Sequence, residues 1–185
     1  MEIRGKTVCL RAIERYDLPA LQRWSNDPAI QDCLGGWHFP ASLDDMETWL
    51  RRSHRDLSSK RFAIETPAEG LVGTASLLDI NWKDRNAFHG MMLGQRQTHG
   101  KGYGTDTVMA VMRHAFEELA LERLDGTIIE YNHPSIHLYC DKCGWSVEGR
   151  KKNAYWRRNR YWEALVVGIT REEYLQVSAA LEYWG

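Results

Sequence analysis

The segment from Ala87 to Leu119 constrains the fold most strongly, because a strand pattern, a glycine-rich stretch and an amphipathic helix pattern follow one another within it. The glycine-rich stretch, LGQRQTHGKGYGTDT (residues 93–107), contains Gly94, Gly100, Gly102 and Gly104. Excess glycine costs conformational entropy on folding, so we expect a functional reason for it. Backbone N–H groups and the positive end of a helix dipole attract an anion. The segment therefore predicts a phosphate or pyrophosphate site where a strand passes into a helix.

Hydrophobic spacing along the rest of the chain predicts the order β-αα-βββ-α-β-α-ββ-α. This order indicates an α/β chain with a mixed sheet and helices on both faces. Neither an internal repeat nor a linker interrupts the pattern, so we expect one domain over residues 1–185. The predicted strands are Thr7–Ile13, Arg61–Glu65, Leu71–Asp79, Ala87–Leu93, Arg123–Tyr131, Trp145–Lys152 and Tyr161–Ile169.

Composition excludes several classes of protein. The formal net charge of −1 gives no overall attraction to nucleic acid or to an acidic membrane. The amino-terminal residues MEIRGKTVCLRAIE lack an apolar signal region, and no apolar run approaches the roughly 18 residues of a spanning helix. Four cysteines in such a chain do not suggest a disulfide scaffold. We expect a soluble cytoplasmic protein that does not contact a membrane.

One cluster of metal-ligand residue types occurs, formed by His133, His137, Cys140 and Cys143. The ten residues that separate the first from the last rise about 15 Å in a helix, more than one coordination sphere spans. His133 and His137 alone could share an ion, but packing residues are the simpler interpretation. We expect no metal site.

Three phosphate-binding motifs can be compared with the glycine-rich stretch. The nucleotide P-loop requires four residues between its first glycine and Gly-Lys, whereas five separate Gly94 from Gly100. The dinucleotide fingerprint requires GxGxxG, whereas the spacing here is GxGxG. The pattern Gln/Arg-x-x-Gly-x-Gly/Ala is matched by Gln97, Gly100 and Gly102. This resembles the pyrophosphate-binding motif of the GNAT superfamily of acetyl-CoA-dependent N-acetyltransferases.

A second segment, EYNHPSIHLYCDKCGWSVEG, resembles the other signature of that family through Asn132, Tyr139, Gly144 and Trp145. The upstream and carboxy-terminal segments are similar to the branch that includes ribosomal-protein N-terminal acetyltransferases. The resemblance implies a GNAT-like, mostly antiparallel central sheet of about seven strands flanked by helices. It also implies that the strands Ala87–Leu93 and Arg123–Tyr131 splay apart, and that the pantetheine arm of acetyl-CoA enters the gap.

The resemblance assigns roles by position. A backbone N–H near Met91–Leu93 polarises the thioester carbonyl, Asn132 binds the pantetheine arm, and Tyr139 is the general acid that protonates the leaving thiolate. Ser135 is an alternative donor to the sulfur. The positions implied in cofactor binding are Met92, Leu93, Gln97, Gly100, Lys101, Gly102, Tyr103, Gly104, Thr105, Asn132, Ser135 and Tyr139.

The general base is not evident from the sequence. Phe88 occupies the strand position where many family members carry a glutamate, and Tyr155 occupies the late-hairpin position where some relatives carry an acid. The remaining candidates are His89, Asp79, Glu130 and Glu163. His89 is the chemically apt one because histidine titrates near neutrality. Without a base, the chain could instead be an acyl-CoA-binding protein without turnover.

The sequence does not determine the identity of the acceptor. The resemblance implies a primary amine, either on a protein or peptide N-terminus or on a small molecule, and it allows a homodimer. Trp37, His38 and Phe39 lie in a loop that borders the acceptor pocket in the family. The segment Arg150–Trp162 mixes six basic and four aromatic residues, so a ribosome- or RNA-associated module is an alternative. The near-neutral net charge favours a hairpin with a solvated basic turn.

Overall fold

The computed structural model describes residues 2–36, 39–94, 98 and 100–185. Within this part of the chain, eight strands form a single sheet. The strands are β1 (Ile3–Arg4), β2 (Cys9–Ala12), β3 (Lys60–Thr66), β4 (Gly70–Asn81), β5 (Asn86–Leu93), β6 (Arg123–Ile129), β7 (Ser146–Arg157) and β8 (Arg160–Thr170).

Six α-helices accompany the sheet in the described residues. They are α1 (Leu18–Ser25), α2 (Pro28–Gln31), α3 (Leu43–Arg55), α4 (Tyr103–Arg113), α5 (His133–Ile136) and α6 (Arg171–Ala180). A 3-10 turn, Arg15–Asp17, precedes α1, and α4 and α5 continue into wider π-type turns at His114–Glu118 and His137–Lys142. Ser42 and Thr170 form the capping boxes that fix the starts of α3 and α6. None of the helices described is long and apolar enough to cross a membrane.

The strand order across the sheet is β1-β2-β3-β4-β5-β6-β8-β7. All neighbours are antiparallel except β5 and β6. The predicted mixed and mostly antiparallel fold is confirmed, with eight strands instead of about seven. The additional strand is β1, whose two residues pair with β2 and are too few for a periodic pattern to reveal.

The sheet is the middle layer between two apolar clusters. The larger cluster lies under α4, where Val108, Met112 and Phe116 are almost completely buried. The smaller cluster covers the other face under α1 and α3, and it includes Leu21 and Trp24. The two faces of the central strands therefore meet different environments, one a packed core and the other a thinner helical layer.

The parallel strands β5 and β6 pair over only three residues each. Asn86–Phe88 pair with Arg123–Asp125, and the described strands make no further β5–β6 pairs beyond that point. β5 nevertheless continues to Leu93 and β6 to Ile129. The predicted splay is thus present, and it leaves a gap between the two strand ends.

Candidate active site

The gap between β5 and β6 leaves backbone groups available in the centre of the sheet. Met91–Leu93 pair with β4 on one side only, because β6 has already separated on the other side. Unpaired backbone groups normally require a partner. An extended ligand arm lying in the gap can supply that partner, as the assignment of Met92 and Leu93 to cofactor binding requires.

The glycine-rich turn leads from this gap into α4. Gly100 and Gly102 have φ angles of 78° and 83°, and a Cβ at either position would meet no atom within 4 Å. The left-handed backbone conformation therefore requires glycine at both positions. Because neither residue carries a side chain, the space beside the turn stays open. Gly102 is also the N-cap of α4 and provides no side-chain cap. Gln97 lies outside the described residues.

The first turn of α4 is suited to an anion. The N–H groups of Tyr103, Gly104 and Thr105 belong to that turn, where no intrahelical acceptor exists. Gly104 serves the packing of the helix, because a Cβ there would lie 3.2 Å from Leu138. The residues present fit a pyrophosphate, since the turn combines free donors, open space and the positive end of the helix dipole.

Lys101 is not a free cation. Its Nζ donates to a carboxylate oxygen of Glu69 in the β3–β4 turn, and this hydrogen bond raises the pKa of Lys101. The side chain is 43% exposed, so the ion pair can open toward a phosphate at modest cost. Lys101 is therefore close to the predicted site but shares its charge with Glu69.

A buried carboxylate that the sequence prediction missed holds α4 in place. The Asp106 side chain is 3% exposed. It accepts hydrogen bonds from the N–H groups of Lys6, Thr7 and Val8 and from the hydroxyls of Thr7 and Tyr183, at 2.6 to 2.9 Å. Burial acts to raise its pKa, but these hydrogen bonds outweigh burial and the pKa is lowered. The sequence signal is limited to an acidic residue in a first helical turn, because its partners lie 77 to 100 residues away in sequence.

Tyr139 lies in a buried aromatic cluster on the α4 side of the gap. Its ring centroid is 5.1 Å from that of Trp145 and 5.8 Å from that of His89. Burial raises the pKa of Tyr139 above its ordinary value, so the hydroxyl stays protonated. No described residue forms a hydrogen bond with that hydroxyl, which leaves its proton available for a ligand. A π-type turn carries Tyr139, and such turns are frequent at functional sites.

His89 belongs to the same cluster and is 3% exposed. Its Nδ1 lies 2.9 Å from the carbonyl oxygen of Ser76, which makes Nδ1 the protonated nitrogen, and Nε2 has no partner among the described residues. Burial lowers the pKa of His89 to about 4. A side chain so weakly basic, packed against Tyr139, does not favour the role of general base at neutral pH.

The other three candidate bases are also poorly placed. Asp79 is exposed beside the bulge of β4, next to the paired end of β5 and β6. Glu130 accepts the backbone N–H of Glu163 at 2.9 Å, and the Glu163 carboxylate pairs with Arg150 at 3.2 Å. None of these three carboxylates is both free and directed into the gap.

Asn132 and Ser135 lie where β6 passes into α5. The Asn132 side chain accepts the N–H of Ser135 at 3.3 Å and so caps α5, and its Nδ2 donates to the carbonyl of Cys33 at 3.3 Å. The Ser135 hydroxyl has no hydrogen bond among the described residues and is half-buried. Asn132 therefore has a structural function, the capping of α5, in addition to the predicted contact with pantetheine.

Side chains of β5, β6 and β7 share the sheet face opposite α4 beside the strand gap, and we call this region of the face the acceptor groove. Phe88 faces this side because its neighbour His89 faces the α4 cluster. The Thr127 hydroxyl lies 3.2 Å from the Tyr155 hydroxyl, so β6 and β7 meet along the same face. Gly35 passes against the Tyr155 ring, where a Cβ would be 3.1 Å away. Three segments of the chain thus converge on the groove.

Several hydrogen bonds tie the loop after α2 to the β7–β8 hairpin, and we call this set the clasp. The Arg158 guanidinium pairs with the Asp32 carboxylate, with Nε at 3.1 Å. Tyr131 donates its hydroxyl to the carbonyl of Asp32, and Arg157 donates to the carbonyl of Leu34 at 3.0 Å. The clasp holds the loop whose Gly35 lies against the Tyr155 ring. Trp37 and His38 lie outside the described residues, and Phe39 is 65% exposed.

The cysteine and histidine cluster does not form a metal site in the described part of the chain. His137 pairs with Asp141 at 2.7 Å on the surface. Cys143 is buried, and burial raises the pKa of its thiol to about 12. In the described residues, His137 is thus exposed on the surface and Cys143 is packed in the core.

Comparison with known proteins places the chain in a family. A family model described as "Acetyltransferase (GNAT) domain" matches residues 7–146. An uncharacterised prophage-derived N-acetyltransferase, YokL of Bacillus subtilis, is 29% identical over 171 residues, which cover 92% of this chain and 93% of YokL. Spermidine N(1)-acetyltransferase of Vibrio cholerae is 26% identical, over 91% of this chain and 96% of that enzyme.

Solved structures agree with this result. The crystal structure of Vibrio cholerae spermidine N-acetyltransferase in complex with CoA and spermine superposes with a TM-score of 0.85 at 24% identity, over 92% of this chain and 99% of that chain. The chain belongs to the GNAT family of N-acetyltransferases. It is an acetyl-CoA-dependent N-acetyltransferase, since acetyl-CoA is the acetyl donor of the family.

Proposed function

We propose that this chain transfers the acetyl group of acetyl-CoA directly to a primary amine of a small molecule. The observation that supports the proposal is the strand gap, which leads into a left-handed glycine turn at the start of α4; one of its two strands, β5, carries His89, whose ring lies 5.8 Å from that of Tyr139. A direct transfer needs the two substrates on opposite sides of one gap. The acceptor groove and the α4 face provide those two sides.

The acceptor class is supported by one relative. The Vibrio cholerae spermidine acetyltransferase acts on a small amine and matches this chain along nearly its whole length. The clasp also ties the loop after α2 to the hairpin beside the groove. In this proposal the tied loop limits the access of a folded protein surface. We therefore favour a small-molecule amine over a protein N-terminus.

Acetyl-CoA supplies the thioester that reacts with the amine, and the products are an amide and the CoA thiol. In this proposal the Tyr139 hydroxyl donates a proton to the departing sulfur, and Ser135 is the alternative donor. Backbone N–H groups of β5 near Met92 and Leu93 stabilise the developing oxyanion. The proton that leaves the amine passes to water, since none of the described candidate bases is free and directed into the gap.

The first experiment measures thiol release from acetyl-CoA against a panel of small amines and short peptides, with calorimetric binding of acetyl-CoA in parallel. Amine-dependent release of CoA supports the proposal and identifies the acceptor. Release with peptides alone would contradict the acceptor class. Binding without release from any amine would indicate a binding protein.

The Tyr139→Phe variant tests the general acid. We expect the single-turnover rate to fall about 100- to 1,000-fold, while the Kd of acetyl-CoA stays unchanged. The exposed Tyr16 is 71% accessible and provides a matched Tyr16→Phe control with the wild-type rate. If Tyr139→Phe has the wild-type rate, Tyr139 is not the general acid. Ser135 is then the candidate, and Ser135→Ala tests it in the same assay.

A further inference from the structure

The composition of the acceptor groove points to the chemical class of the acceptor, an inference that rests on the proposed function. On the groove face, Tyr155 of β7 and Trp162 of β8 are directly opposite each other in the register. With Phe88 on β5, they give the groove three aromatic side chains. Aromatic faces bind planar apolar bodies and cations.

Cations of the protein itself already occupy these aromatic faces. The Arg160 guanidinium lies 3.4 Å from the centre of the Trp162 ring, and Arg157 lies 5.8 Å from that of Tyr155. Arg158 lies 4.6 Å from the Tyr131 ring. A ligand cation that entered here would meet an arginine at each of these three rings.

Two carboxylates near the groove are already paired among the described residues. Asp32 pairs with Arg158, and Asp125 accepts Nε of Arg123 at 2.8 Å. A second ammonium group of a polyamine would therefore have to displace an arginine or remain unpaired.

The hairpin also carries more positive than negative charge. Between Ser146 and Thr170 it contains Arg150, Lys151, Lys152, Arg157, Arg158 and Arg160, against Glu148 and Glu163. Arg160 is exposed, and apart from the Trp162 ring no partner for it is present among the described residues. A guanidinium in this position is well suited to bind a carboxylate.

We infer that the preferred acceptor is a primary amine with an aromatic or apolar body and an anionic substituent at its far end, rather than a polyamine. The amine nitrogen forms the new bond to the acetyl carbon, the carbon–sulfur bond of acetyl-CoA breaks, and the amine loses one proton. The aromatic body lies against Tyr155 and Phe88, and the anionic group pairs with Arg160.

Three acceptors test this inference in the full-length chain. They are 4-(aminomethyl)benzoate, its neutral analogue 4-methylbenzylamine, and spermidine. We expect kcat/KM to be about tenfold higher for the benzoate than for the neutral analogue at low salt, with spermidine lowest. The advantage of the benzoate shrinks at high salt because exposed charges are screened. Equal values for the two aromatic amines, or the highest value for spermidine, would overturn the inference.

The Arg160→Gln variant tests whether Arg160 is the residue that pairs with the anionic group of the acceptor. It should lower the preference for the benzoate, measured as the ratio of its kcat/KM to that of the neutral analogue, at least threefold. Lys83 is exposed in the β4–β5 turn, and Lys83→Gln is the matched control that keeps the preference. An unchanged preference in Arg160→Gln would refute the assigned contact. If spermidine alone is acetylated, the inference fails and the proposed function stands; if acetyl-CoA binds and no amine reacts, both fail.

Discussion

At the scale of single residues, neighbouring glycines meet different requirements. Gly100 and Gly102 adopt a left-handed backbone in open space, whereas Gly104 permits α4 to approach Leu138. Gly94 is different again, because a Cβ there would overlap the indole of Trp24. The glycine-rich stretch thus combines a left-handed turn in open space with two close packing contacts.

The Gly102→Ala variant tests the turn. Its methyl group meets no atom, so the cost comes from the left-handed conformation alone, about 1–2 kcal/mol. If the loop shifts to relieve that strain, the N–H groups of α4 move away from the anion. We expect the Kd of acetyl-CoA to rise about tenfold in calorimetry.

The control is Gly149→Ala, where a Cβ also meets no atom and the φ angle is outside the left-handed range. Its Kd for acetyl-CoA should equal that of the wild type. Equal affinities for the two variants would show that the conformation of Gly102 is not needed for binding.

At the scale of elements, Asp106 connects three of them. It joins the turn between β1 and β2, the first turn of α4 and, through Tyr183, the segment after α6. A carboxylate that accepts several hydrogen bonds has a lowered pKa, and the stability that it provides depends on its ionisation.

The Asp106→Asn variant should lower the free energy of unfolding by about 2–4 kcal/mol at pH 7, since charged hydrogen bonds are lost in a buried site. Because the folded pKa is lowered, this stability is present above the unfolded pKa of about 3.9 and is lost as pH falls through the folded value. In urea titrations at several pH values, the free energy of unfolding of the variant should therefore fall less on acidification than that of the wild type.

Asp44 provides the comparison, because it is an exposed acid in the first turn of α3. Its Asp44→Asn variant should change stability by less than about 0.5 kcal/mol. An Asp106→Asn variant as stable as Asp44→Asn, with the wild-type dependence on pH, would contradict the anchoring role.

At the scale of the whole molecule, the clasp joins the helical layer to the far end of the sheet. The Asp32–Arg158 pair is largely exposed on its arginine side, so we expect it to add little to stability. Its effect on the groove should be larger, because it positions the loop over Tyr155. We expect Arg158→Gln to raise the KM of the acceptor about threefold without changing the Kd of acetyl-CoA.

Another exposed ion pair, Arg15 with Glu47 at 2.7 Å, gives a matched control in Arg15→Gln. That variant should keep the wild-type KM in the same thiol-release assay. A KM for Arg158→Gln that equals the wild-type value would mean that the loop holds its position without the ion pair.

The elements that could be predicted from the sequence are those that local hydrophobic patterns determine. The strand predicted over Ala87–Leu93 is confirmed as β5, Asn86–Leu93. The site depends instead on contacts between distant segments. Asp106 meets Lys6 across 100 residues and Arg158 meets Asp32 across 126, and periodicity carries no information about such partners.

The position of β7 at the edge of the sheet has a consequence during synthesis. Among the described strands its one neighbour is β8, which follows it in the chain. At about 5–20 residues per second, the 11 residues of β8 emerge only about a second later. During that second β7 is a strand without a partner, the state in which chains associate with one another. Arg150, Lys151 and Lys152 in its centre keep it soluble through mutual repulsion, so the charge of this strand protects the nascent chain.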